Sequence, residues 1–390
     1  MRVLREPAAA DRIVPAATWP VIARTADRLG IAPLLHHKLR HAGTHELLPP
    51  EPAAFLKEAH QRSLVRNLRL YAELAEVLAA LSRRGVEALI LKGTHLAATV
   101  YADPGARLIR DLDLLVHREA LPAAVAALEA LGYRSPVGSL QLKVTSHHLP
   151  RFMRAGRTAI ELHWRLSMAS DDPPGLWERA IQVAAPGINA RGLGPTDLLL
   201  HLALHAARSH RCHMGLRPWH DMALTMQHYA AALDWELLVR SCREQGATRP
   251  AALAFLLAHD LAGAEPPATL EHRLVAEPVP GGVVAFARAR SLTEPTMRSS
   301  FSEHAMAFAA GSLRTRLRVG LARLFPPPPP AAGTRTGRTA SWHLLVAYAR
   351  RARDLLLGYG GLLLGPLGLG RQRRQALAVE MTLASWLSGR

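Results

Sequence analysis

An α+β fold, with a short strand-and-helix core embedded between helical segments, is the architecture that this 390-residue sequence predicts. Three observations lead there. Apolar residues recur in steps of three and four over the first 85 residues and again from Pro195. Between those stretches, short apolar runs separated by glycines and an Asp-Pro-Gly turn break the helical period. The composition is 49% hydrophobic and 20% charged, a globular balance that excludes wholesale disorder and a coiled coil.

Taken in order, residues 21–41 carry Leu29, Ile31, Leu34, Leu35 and Leu39 at roughly helical spacing. Residues 55–83 follow as a long amphipathic helix whose stripe is Leu64, Leu68, Tyr71, Leu74, Leu78 and Leu81. Arg83-Arg84-Gly85 closes it, with basic side chains suited to a helix C-terminus and a glycine free to turn left-handed. Residues 88–91 read as a buried strand, and Lys92-Gly93-Thr94 as the start of a short helix to about Tyr101. A second strand spans 111–116, and an amphipathic helix over 119–131 stops at Gly132. Residues 142–153 and 158–166 predict a hairpin around Ala155-Gly156. From Pro195 the pattern is helical: a helix capped by Thr196 and running through Leu200 and Leu204, then 219–231, 234–245, 250–262, 283–291 and 301–324. Pro326 to Pro330 form a stiff extended spacer. The implied organisation is a helical region at 1–85, a strand-and-helix core at 86–170, a helical domain at 171–325, a proline-rich linker at 326–340 and a helical tail at 341–390.

Lys and Arg total 48 against 31 Asp and Glu, a net charge of +17, and only Lys38, Lys57, Lys92 and Lys143 are lysines. Such an excess favours anionic partners. No basic tail exists, and 5% aromatic content disfavours nucleic acid bound by base stacking. Cys212 and Cys242 make neither a CxxC nor a disulfide framework, which fits two thiols in a reducing compartment. Residues 14–23 are uncharged but interrupted by Pro15 and Pro20, unlike a secretory leader, and no run of 18 apolar residues spans a membrane. The expectation is a cytoplasmic protein. Residues 355–369 are uncharged, contain five glycines and are flanked by arginines. They suit a packed C-terminal hairpin, or a peripheral membrane or partner contact.

The sharpest chemical signal is Asp111-Leu112-Asp113 inside DLDLLV. Residues i and i+2 of a strand share a face, so the two carboxylates project together while the leucines turn to the core. Paired carboxylates repel and are costly to bury without a cation, and hard divalent ions prefer oxygen ligands. The alternative is two solvated acids balanced by Arg107 and Arg110. Upstream, Gly93 and Thr94 at a helix start form a place where backbone N–H groups and a hydroxyl hold a phosphate, with an ordinary helix cap as the alternative. Lys92, retained in a chain of arginines, suits a compact point charge beside that phosphate. Downstream, IELHW places Glu161 and His163 on one strand face, and Glu161 would complete a two-metal site. His201 and His205, four apart on one helix face, are spaced for metal ligation but fit better as a face packed on the core. His147 and His148 lie in the hairpin, facing either an acceptor or solvent. Asp221 follows Trp219-His220 at a helix start, where it caps the helix or holds a basic residue.

The motifs ALILKGTHLA, RLIRDLDLLV, IELHWRL, LLLHLALHAAR and PWHDMALTM resemble the bacterial nucleotidyltransferase family proteins of the DNA polymerase β-type superfamily, over about residues 20–320. That resemblance implies a polymerase β-like core. It implies Mg²⁺ or Mn²⁺ held by Asp111, Asp113 and Glu161, and NTP bound by Lys92, Gly93, Thr94 and Arg107. It also implies a cleft with His163, His205 and Asp221 beside an acceptor that is a small molecule, peptide or protein. Glu161, the most plausible of the three to take the acceptor's proton, stands where the superfamily usually has Asp, and Gly93-Thr94 where it usually has Gly-Ser. A phosphotransferase on the same scaffold, or a non-catalytic nucleotide-binding or docking protein, remains an alternative.

Overall fold

A computed structural model describes residues 2–135, 147–167, 171–185, 187–293, 382–383 and 385–387. The chain divides into two units, Met1–Pro295 and Thr296–Arg390. In the second unit, residues 382–383 and 385–387 are helical. The expected helix at 301–324, the proline spacer and the apolar stretch at 355–369 lie outside the described residues.

The first unit opens with the short helices α1 (Arg2–Arg5) and α2 (Ala10–Ile13), then α3 (Trp19–Arg28) and α4 (Ala32–His41). The periodicity predicted one helix across α3 and α4. Gly30, at φ +75°, breaks it in two, because a left-handed residue cannot continue a right-handed helix. Helix α5 (Pro50–Ser82) spans 33 residues. It starts on prolines, which lose no hydrogen bond in a first turn. It ends at Gly85 (φ +68°), with the Val86 N–H bonded to the Leu81 carbonyl. Its buried face differs from the predicted stripe. Asn67, Leu70, Tyr71, Leu74, Val77 and Leu81 face inward, whereas Leu68 is 44% exposed. The stripe is rotated because a polar residue, Asn67, takes a core position and satisfies its amide there.

Strands β1 (Ala88–Ile90), β2 (Leu112–Val116), β3 (Ile160–His163), β4 (Ile181–Ala185) and β5 (Ile188–Gly192) form one mixed sheet in the order β3-β2-β1-β5-β4. Strand β1 runs antiparallel to β2 and parallel to β5, β2 runs parallel to β3, and β4 and β5 form a hairpin. That hairpin had no counterpart in the sequence reading: its strands are five residues each, and the alternation of the first breaks at Ala184-Ala185 before Pro186-Gly187. The fold is therefore α+β, with the sheet inside helical segments.

Helix α6 (Lys92–Thr99) follows β1, and α7 (Leu121–Ala130) follows β2. Leu112, Leu114 and Val116 of β2, with Ile160 and Leu162 of β3, pack with α5 and α7. Burying each such side chain stabilises by roughly 1.5–3 kcal/mol. Alternation turns Asp113, Leu115, Glu161 and His163 to the opposite face. Beyond the sheet come α8 (Pro195–Leu204), a π turn over His205–Ser209, α9 (Arg217–His228), α10 (Trp235–Glu244), α11 (Thr248–Ala262), α12 (Leu270–Leu274) and α13 (Gly281–Ser291). Thr196 does not cap α8. Gly194 precedes that helix, and the Thr196 hydroxyl accepts from the Asp234 N–H. Of the predicted hairpin at 142–166, residues 147–166, with the turn, are described, and 142–146 lie outside the described residues. Phe152 pairs with Ile160 and His148 with His163 across the Ala155-Gly156 turn.

Candidate active site

The segment entering β2 is held from behind by α5. The Asn67 amide donates to the carbonyls of Pro104 (2.6 Å) and Arg107 (2.7 Å) and accepts from the Ile109 N–H (3.1 Å). Arg66 donates to the carbonyls of Ile109 and Arg110. Asp111 follows at once, just outside β2, and Asp113 lies within it. The parallel β2–β3 register sets Asp113 directly opposite Glu161. Two carboxylates, 48 positions apart in the chain, thus meet on one sheet face.

Cations and an imidazole surround them. Lys92 Nζ donates to Asp113 Oδ1 at 2.8 Å, and His163 Nε2 lies 3.0 Å from the same oxygen and 3.7 Å from Glu161 Oε2. Arg151 bridges the other two acids, with Nε 2.5 Å from Glu161 Oε1 and Nη2 3.3 Å from Asp111 Oδ2. Burial by itself would raise Asp113, but Lys92 and His163 outweigh it and hold the carboxyl well below its usual range. Glu161 behaves alike: against burial, His163, Lys92 and Arg151 bring it to about 2. Asp111 goes the other way, raised by burial and by repulsion from Asp113 and Glu161.

Sequence reasoning missed Arg151, Asn67 and Arg66. The hairpin register carried a signal for the first: with Phe152 opposite Ile160, Arg151 falls opposite Glu161.

The start of α6 sits beside this pair. Lys92 has φ +45°, a conformation that costs a non-glycine residue about 1–3 kcal/mol and clusters at functional sites. Thr94 is buried, and its hydroxyl has no hydrogen-bond partner. A Cβ on Gly93 would lie 2.5 Å from Arg107 Nη1. Arg107 is itself buried and clamped by Asp221, with Nε 2.9 Å from Oδ1 and Nη2 2.8 Å from Oδ2. The Tyr101 hydroxyl donates to the same carboxylate at 2.7 Å. Asp221 lies inside α9, so it holds a basic residue and does not cap the helix.

The histidines gather on the sheet's carboxylate side. The His163 ring is 5.4 Å from that of His147 and 5.1 Å from that of His148. His201, buried, and His205, half-buried, stack at 5.8 Å, and desolvation pushes both well below the usual imidazole range, with the nearby Lys92 charge adding to the effect. They stand as neutral rings lining the core. Among the described residues, one group of three candidate ligands has donor atoms within 4.8 Å of one another: Asp113, Glu161 and His163. Asp111 is outside that group.

A mixed sheet that presents strand carboxylates beside a lysine at a helix start is an arrangement suited to phosphate-transfer chemistry. The chain belongs to the uncharacterised nucleotidyltransferase family, whose model matches residues 15–263. Two solved structures are similar over part of the chain. One is the solution structure of the antibiotic-resistance factor ANT(2'')-Ia, at 15% identity over 46% of this chain and 95% of that one, with a TM-score of 0.36. The other is the crystal structure of ANT(2'')-Ia in complex with adenylyl-2''-tobramycin, at 14% identity over 45% and 97%, with a TM-score of 0.34. No curated protein matches the chain. Among the described residues, no helix is long and apolar enough to cross a membrane.

Proposed function

We propose that the protein transfers a nucleoside monophosphate from an NTP to an acceptor, using divalent metal at Asp111, Asp113 and Glu161. The observation that carries this reading is the pairing of Asp113 with Glu161 across β2 and β3, with Lys92 donating to Asp113 from the first residue of α6. Such a pair of opposed, largely buried acids suits hard cations. Mg²⁺ or Mn²⁺ bound there supplies charge neutralisation of the triphosphate and alignment of the attacking group.

The chain's own residues divide the remaining work. Lys92, Gly93 and Thr94 hold phosphate oxygens at the start of α6. Arg107 acts behind them as a positioning residue, since Asp221 occupies two of its nitrogens. The acceptor's hydroxyl or amine attacks the α-phosphorus, the bond to the bridging oxygen breaks, and pyrophosphate leaves. The acceptor's proton goes to a carboxylate of the site, Glu161 being the one that the sequence reading favours. His163 and His205 border the space in which a small molecule, peptide or protein would sit. The cytoplasm supplies the NTP.

The test is incubation with radiolabelled NTP and Mg²⁺ or Mn²⁺ against candidate acceptors, with pyrophosphate as the readout. Wild type should release pyrophosphate and label the acceptor from the α-phosphate, and Asp113→Asn should abolish both while remaining folded. Release of NDP with γ-label on the acceptor would make it a phosphotransferase. Equal MgNTP binding by wild type and Asp113→Asn would remove the carboxylates from the reaction.

A further inference from the structure

We propose that His163 is a direct ligand of the divalent cation, so that the site at Asp113 and Glu161 takes an ion that accepts nitrogen, Mn²⁺ in preference to Mg²⁺. The inference rests on the reading of a metal-dependent transferase and names the ion and a nitrogen ligand beside its carboxylates. Strand pairing places the donors: Asp113 faces Glu161 across β2 and β3, and His163 lies two residues further along the same face as Glu161. His163 Nε2 is 3.0 Å from Asp113 Oδ1 and 3.7 Å from Glu161 Oε2, and the three donors all fall within 4.8 Å. Ligand atoms about 2.1 Å from one ion stand roughly 3.0 Å apart when adjacent in an octahedron and roughly 3.4 Å apart in a tetrahedron. The two separations from His163 Nε2, 3.0 and 3.7 Å, span those values.

The ring's hydrogen bonding is confined to Nε2. His163 is 1% exposed, and its Nδ1 is buried with no hydrogen-bond partner. Its polar engagement is therefore with the two carboxylates alone. Both Lys92 and His163 hydrogen-bond Asp113 at Oδ1. Asp111, expected from the DxD spacing as a ligand, has its carboxylate bridged to Glu161 by Arg151 and stands outside the trio. One nitrogen thus enters where an all-oxygen set was expected. Mg²⁺ prefers oxygen ligands and near-ideal octahedra, while imidazole suits later first-row ions, which shifts preference toward them.

The experiment is pulsed EPR on the full-length wild-type protein carrying one equivalent of Mn²⁺, with calorimetric titration of Mn²⁺ and Mg²⁺ in parallel. Nitrogen modulation of the Mn²⁺ signal is expected, changing on ¹⁵N-histidine labelling. His163→Asn should abolish the modulation and weaken Mn²⁺ binding by about 10- to 100-fold, with a far smaller change for Mg²⁺. The wild-type measurement stands even if the variant folds poorly. Bound Mn²⁺ without nitrogen modulation, modulation that persists in His163→Asn, or equal wild-type affinities for the two ions would overturn the inference and leave the carboxylate site standing. Failure of wild type to bind either ion would overturn it together with the proposed function.

Discussion

Asp221→Ala tests the buried network behind the phosphate cradle. Asp221 is 2% exposed and Arg107 7%. The substitution strips Arg107 of two hydrogen bonds and Tyr101 of one. It also leaves a second, half-buried cation, Arg217, which desolvation, followed by repulsion from Arg107, already lowers to about 10. Removing one partner of a buried ion pair costs about 3–5 kcal/mol, and an unsatisfied buried hydroxyl adds about 1–3 kcal/mol. These overlap, because side chains relax together, so about 4 kcal/mol is the working figure. At roughly 2 °C per kcal/mol, suited to a unit of this size, the melting point should fall by about 8 °C. Differential scanning calorimetry reads this directly. Arg107→Met combined with Asp221→Leu should recover part of the loss, since apolar replacement of both partners removes the unpaired charge. A fall of less than about 2 °C in Asp221→Ala, with the double variant no better, would refute the reasoning.

Two further outcomes follow from the same geometry. Thr94→Ala removes a buried hydroxyl that has no partner, so the protein alone should be as stable or slightly more stable, while NTP binding weakens by about 1 kcal/mol, roughly fivefold. Gly93→Ala should cost stability instead, by about 1–3 kcal/mol, because its Cβ meets Arg107 while Asp221 holds that side chain in place; thermal melts beside NTP titration separate the two variants. Burial lowers His36, His95 and His210 to about 4, and His147 and His220 to about 3. Their unfolded value is 6.5, so the unfolded state binds protons first, and the stability these rings contribute is complete above pH 6.5 and lost as pH falls toward 4. Melting points across that range should drop steadily. A flat profile would show that the rings are not buried as neutral groups.

Sequence periodicity located the elements well where one local rule governed them. The helix over 50–82, the strands at 88–90 and 112–116, and the glycine stops at Gly85 and Gly132 are set by short-range sterics and by apolar spacing that recurs within a few residues. Where two rules competed, the reading slipped. Gly30 outweighed a helical apolar pattern, and in the β4–β5 hairpin the alternation, plain over residues 188–191, was too short to stand out beside Ala184-Ala185-Pro186-Gly187. The predicted face of α5 was off by a rotation, because Asn67 earns its core position from partners on a loop some 40 residues away.

The site divides the same way. By itself the sequence determined that Asp111 and Asp113 would stand two apart beside a strand, that Lys92-Gly93-Thr94 would open a helix, and that Glu161 and His163 would share a face. Each follows from the two-residue repeat of a strand or the geometry of a helix start. Only the tertiary structure decided which of them meet. The parallel pairing of β2 with β3 set Asp113 against Glu161 and brought His163 to both. The hairpin register delivered Arg151 to Glu161, and α9 delivered Asp221 to Arg107 across 114 residues. The physical reason is that strand register and helix docking are settled by burial of whole faces, summed over many side chains. No local stretch encodes the partner that a charged group finds once those faces close.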